Sequence, residues 1–119
     1  MRALIASFKC AAAGIVYTLR TQRNMRIHVF VAVCALLASY LLKLDPSDWG
    51  IILLCIGLVM AAECFNTALE AVVDKVSPEV HPLAKIAKDC AAGAVLICAL
   101  ISVAAGLTVF VPAMLECLA

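Results

Sequence analysis

Four polar residues fall on one line within an otherwise apolar stretch of the chain: Glu63, Asn66, Glu70 and Asp74. Their spacing (i, i+3, i+7, i+11) describes one stripe along an α-helix. An ionisable side chain inside a bilayer costs about 2.5–3.5 kcal/mol on insertion scales, so a carboxylate held there calls for a task. A carboxylate just beneath the membrane interface can meet the headgroup of a lipid. One at the interface can meet a soluble, phosphate-bearing molecule through Mg²⁺, which prefers oxygen ligands. The plainer alternative is that the stripe ties helices together by hydrogen bonds, with Glu70 and Asp74 as ordinary solvated ends.

The polar segment that follows adds Glu79, His81, Lys85, Lys88 and Asp89. Lys88-Asp89 abuts the next apolar run on the same side as Glu70, and a lysine there can hold phosphate as a point charge. Lys75 and Lys85 are explained by membrane topology alone. His28 and His81 carry little weight by themselves. The chain has no GxxxxGK[ST], HRD or DFG, so any phosphoryl transfer must use another arrangement. Its seven cysteines show no paired spacing and fall mostly in apolar runs, where Cys acts as a small apolar residue. No disulfide or zinc framework is expected.

These residues must be positioned by membrane helices. Of 119 residues, 66% are hydrophobic and 14% charged, against about half and a quarter in soluble domains. Such a composition excludes a soluble globule and a disordered chain. Nine basic residues against eight acidic leave no electrostatic footprint for nucleic acid. What remains is a single membrane domain over 1–119. Runs near the roughly 20 residues needed to cross a bilayer predict transmembrane helices at 27–43, 49–73 and 90–116. Asp45-Pro46-Ser47-Asp48 forms a tight turn with a helix N-cap at its end. Tyr40 and Trp49 suit the interface. Small residues in the third span, among them Ala92, Gly93, Ala105 and Gly106, are close-packing positions.

Orientation follows from Lys and Arg. Arg2, Lys9, Arg20, Arg23 and Arg26 precede the first span, Lys75, Lys85 and Lys88 lie in a 74–89 loop, and none lies in 44–48. The N-terminus and the 74–89 loop are therefore expected in the cytoplasm. Residues 3–22 repeat apolar side chains at helical spacing (Leu4, Ile5, Phe8, Ala12, Ile15, Val16, Leu19), with Lys9, Thr18 and Arg20 opposite. They predict an amphipathic helix on the membrane surface. A signal peptide is the competing reading, and Lys9 cuts its apolar segment short. At about 1.5 Å per residue from Trp49, Glu63 lies roughly 21 Å deep and Glu70 roughly 31 Å. Glu63 is then about two helical turns below the cytoplasmic interface, which Glu70 and Asp74 reach.

Three segments resemble the prokaryotic diacylglycerol kinase family. Glu63 to Asp74 matches an ExxNTAxExxxD signature, Ala87 to Val95 an AKDxxAGAV segment, and Arg23 to His28 an RNxRIH stretch. The similarity covers nearly the whole chain in order. The run Ser77 to Asp89 most resembles the branch that includes the undecaprenol kinases of Gram-positive bacteria.

The resemblance implies an all-α homotrimer in the bacterial cytoplasmic membrane, with three spans and a surface helix per protomer. It implies ATP with Mg²⁺, a lipid alcohol as acceptor, and sites between protomers. Glu63 falls on the general base, Glu70 on a metal-binding carboxylate, and Asn66 on a position supporting the active-site carboxylates. Glu70, Asp74, Glu79, Val80, His81, Lys88 and Asp89 fall on the nucleotide side, and Asn24 and Arg26, with Glu63, on the lipid side. Gln22 stands where the family usually has a second metal-binding Glu; its amide oxygen can ligate Mg²⁺ but brings no charge. Cys10 stands where an aromatic residue is common. Two other readings stay open: an ion or proton transporter subunit using Glu63, and a catalytically impaired family member because of Gln22.

Overall fold

In lipid a backbone must satisfy its own hydrogen bonds, and a helix does so within one segment. The protein, seen in a computed structural model that describes residues 1–118, is built from four: α1 (Arg2–Thr21), α2 (Arg23–Leu41), α3 (Pro46–Val76) and α4 (Pro82–Leu118). By length and composition all four could cross a membrane, α1 included.

Local chemistry sets the ends. A single extended residue, Gln22 (φ −98°, ψ 121°), separates α1 from α2. Helix α2 stops at Leu41, two residues short of the expected 43. There Lys43 turns into the left-handed region (φ 54°) and the Leu44 N–H donates to the Ser39 carbonyl at 3.1 Å, closing a Schellman-type cap. Helix α3 begins three residues before Trp49. The Asp45 carboxylate accepts from the N–H groups of Ser47 (2.8 Å) and Asp48 (3.0 Å), and Pro46 supplies a preset φ at the first helical position. These bonds hold the exposed Asp45 carboxyl below its ordinary pKa, the Ser47 side-chain hydroxyl contributing most.

The segment 74–89, expected as a loop, is helical except for 77–81. Apolar periodicity ends where the chain leaves the hydrocarbon, but helix propensity does not. Lys75 complements the C-terminal dipole of α3, and Pro82 starts α4. The helices of 31 and 37 residues are about 46 and 55 Å long, against about 30 Å of hydrocarbon.

Helix α3 is the hub. It packs most extensively on α4 and also contacts α2 and α1. The Ser102 hydroxyl of α4 donates to the Cys55 carbonyl of α3 at 3.4 Å. The arrangement measures 59 × 42 × 20 Å, so it is about two helix diameters thick. Its radius of gyration is 17.6 Å, against about 13.5 Å for a compact domain of this length. Among the described residues the buried apolar ones are Met25, Ile52, Val59, Val95 and Val109, and the buried polar ones are Thr18, Ser39, Glu63, Asn66 and Thr67. Polar side chains are thus buried as often as apolar ones, and Phe30, Leu54, Phe65 and Leu100 are left exposed.

Candidate functional site

The polar stripe is real and graded. Along α3, Glu63 is 2% exposed and Asn66 8%, Glu70 is half-buried, and Asp74 is exposed. Thr67 reinforces the buried end, its hydroxyl donating to the Glu63 carbonyl at 2.8 Å. On the α1 side the seam is lined by small groups (Gly14, Thr18, Cys64, Thr67, Ala68, Ala71), which brings α1 close to α3 at the level of the carboxylates.

Glu70 is clamped by two amides. Gln22 Nε2 donates to Oε2 at 3.0 Å, and Asn66 Nδ2 donates to Oε1 at 3.2 Å. The extended backbone at Gln22 makes the first contact possible, because it points a side chain from the α1–α2 joint onto α3. One turn of α3 makes the second. The Asn66 Oδ1 is buried and has no hydrogen-bond partner.

Glu63 faces α2. His28 Nε2 lies 3.4 Å from Glu63 Oε1, an ion-pair separation without hydrogen-bond alignment, and Oε1 is otherwise unpartnered. His28, 23% exposed, also lines an apolar cavity of about 430 Å³ between α2, α3 and α4, with Val31, Ile52, Val59, Ser102 and Phe110 among its walls. Glu63 is not among the residues lining that cavity.

At the far end of the stripe Asp74 pairs with Lys88 across α3 and α4. Asp89 pairs instead with Lys85 one turn away, a contact that raises the pKa of that exposed lysine. Glu79, Val80 and His81 sit exposed on the 77–81 connection, where His81 Nδ1 accepts from the Leu83 N–H at 3.2 Å and caps α4. Asn24 and Arg26 are exposed in the first two turns of α2, flanking the buried Met25. Two groups therefore come together, Gln22–Asn66–Glu70 and Asp74–Lys88. Glu79, Val80 and His81 are exposed and share no hydrogen bond or ion pair with either group among the described residues.

No cluster of three or more His, Cys, Asp or Glu able to hold a metal exists among the described residues. Around Glu70, however, the side chains of Gln22 and Asn66 each carry an amide oxygen beside the NH₂ that now donates. One carboxylate with neutral oxygens is a donor set that fits Mg²⁺, which normally completes its shell with water and phosphate oxygens.

The description "Prokaryotic diacylglycerol kinase" matches residues 9–110, which takes in the stripe, the amide clamp and the Asp74–Lys88 pair. The chain belongs to that family. It is 47% identical over 114 residues to a diacylglycerol kinase of Synechocystis, covering 95% of this chain and 65% of that relative. It is 45% identical over 106 residues to the undecaprenol kinase of Bacillus subtilis, covering 89% of this chain and 86% of that relative. An Escherichia coli diacylglycerol kinase is 36% identical over 75 residues, 63% of this chain and 61% of that relative. Family membership leaves the ion-site reading of Glu63 without support.

His28 is the residue that sequence reasoning undervalued. A lone histidine at the start of a span has no partner visible in the sequence. The signal was its place at the end of Arg23 to His28, facing a stripe on another helix.

Proposed function

We propose that this chain is a lipid kinase, transferring the γ-phosphate of ATP to the hydroxyl of a membrane lipid alcohol. Undecaprenol is favoured as acceptor and diacylglycerol is next. The observation that carries the reading is the α3 stripe. It runs unbroken from the buried Glu63 to the amide-clamped, half-exposed Glu70, and so joins a depth suited to a lipid headgroup with one suited to a soluble nucleotide. The preference for undecaprenol is supported by the Bacillus subtilis relative, whose length the chain covers more fully than that of the Synechocystis one.

Phosphoryl transfer depends mostly on positioning and charge neutralisation. In this reading Glu63 accepts the proton of the lipid hydroxyl. Asn66 fixes the Glu70 carboxylate, and Glu70 with Gln22 would hold Mg²⁺, which would supply positive charge to the phosphates. Lys88 exchanges Asp74 for phosphate. Glu79, Val80, His81 and Asp89 orient the nucleotide, and Asn24 and Arg26 meet the lipid headgroup.

The chain acts as a homotrimer in the bacterial cytoplasmic membrane, with sites between protomers and the N-terminus and nucleotide on the cytoplasmic side. A layer about two helices thick, with its apolar side chains exposed, supports association. Helix α1 lies on the membrane surface. Its residues Ala11 to Thr18 line a seam with Cys64 to Ala71, near one end of α3, whereas a fourth span would follow α3 along its length.

The test is transfer of label from γ-labelled ATP with Mg²⁺ to undecaprenol and diacylglycerol in parallel, by the purified protein and by Gln22→Glu. Labelling of one lipid establishes the activity and its acceptor. Labelling by Gln22→Glu alone identifies a member silenced at its metal site. Silence of both folded proteins ends the kinase reading.

A further inference from the structure

Glu63 presents a problem of traffic. Its carboxylate is 2% exposed, so a proton taken up there has no direct route to water. Oε1 has no hydrogen-bond partner, and the one basic group beside it is His28 Nε2 at 3.4 Å. His28 is 23% exposed and stands on the wall of the apolar cavity between α2, α3 and α4. It therefore stands between the enclosed carboxylate and that cavity. Along its own helix Glu63 has Glu70 as the next carboxylate, two turns away, and Glu70 is already engaged by Gln22 and Asn66.

We propose that His28 is a positioning and proton-relay residue for Glu63, a role that rests on the kinase reading above. The lipid O–H bond breaks as its oxygen bonds the γ-phosphorus. The bridging P–O bond of ATP breaks with its electron pair leaving on ADP. The proton passes to Glu63 and from there to Nε2 of His28, which restores the carboxylate, and the partly exposed ring then releases its Nδ1 proton to water or a headgroup oxygen before the next turnover. The separation of 3.4 Å needs to close by only a few tenths of an ångström to become a hydrogen bond, as is common when a substrate complex tightens.

The experiment compares wild type, His28→Ala and His28→Asn in the labelled-ATP assay, with and without added imidazole or the non-basic ring pyrrole. The expected result is a kcat about 100-fold lower in both variants, with KM for ATP and lipid within about twofold. Imidazole, entering through the cavity, restores His28→Ala and pyrrole does not. Wild-type kcat in either variant overturns the relay. So does a slowed His28→Ala that imidazole leaves unchanged while His28→Asn is fully active, since a hydrogen bond alone would then suffice. If His28→Ala fails to fold, the kcat of His28→Asn decides: slowed as expected, or wild-type and the proposal falls. An inactive wild type brings down the kinase reading itself, whereas an active wild type with active variants brings down only the relay.

Discussion

At the scale of single residues, the site combines one buried carboxylate with one that two amides hold. Glu63→Gln keeps the size of the side chain and removes its basicity. It should lower kcat by about 10²–10⁴-fold while leaving ATP binding and the unfolding midpoint near wild type, as read by single-turnover transfer and nucleotide titration. Wild-type turnover would take Glu63 out of the proton-accepting role. Gln22→Glu replaces an attractive amide contact with two facing carboxylates, which repel unless a cation lies between them. The variant should unfold at lower temperature than wild type in chelator and regain the difference as Mg²⁺ is added. Wild type should respond less steeply, because its Gln22–Glu70 contact exists without a cation. Equal Mg²⁺ dependence in the two proteins would remove Gln22 from the metal site.

At the scale of helices, the ends are where chemistry and strain are concentrated. Lys43 occupies a left-handed conformation, which costs a residue with a Cβ about 1–2 kcal/mol and glycine little. Lys43→Gly should therefore raise the free energy of unfolding by up to about 1 kcal/mol, measurable by reversible denaturation in detergent, and a loss of stability would contradict the cap. The Asp45 cap has a defined pH signature. Its folded-state pKa is lowered by the Ser47 and Asp48 bonds, so its contribution is complete above the ordinary aspartate pKa of about 4 and is lost as pH falls through the lowered value. Amide exchange of Ser47 and Asp48 should speed up only on strong acidification, and Asp45→Ala should show fast exchange at neutral pH. Much of this level was legible in the sequence. The stripe from Glu63 to Asp74 lies on one helix because its spacing is periodic, and the apolar runs at 27–43, 49–73 and 90–116 mark three helices. The extension of α3 to Val76 and of α4 back to Pro82 was not legible. Hydrophobic periodicity reports a solvent boundary, and a helix can cross that boundary unbroken. His28–Glu63 and Gln22–Glu70 were hidden for a different reason: each is a tertiary contact between residues 35 and 48 positions apart.

For the whole molecule, the isolated chain is an open layer. It exposes 8762 Å², whereas a compact monomer of its 12.5 kDa would expose about 6,200 Å². An apolar environment must cover the difference, since the exposed side chains include phenylalanines, leucines and valines. Sedimentation in mild detergent, corrected for bound detergent, should give three times the protomer mass, and a monomer would leave the sites between protomers without support. The joint at Gln22 links this scale back to the first. One extended residue connects α1 to α2, and its side chain rests on a carboxylate of α3. Movement of α1 against α2 is therefore felt at Glu70 through the Gln22 amide, and a load placed on that carboxylate is felt in turn at the joint.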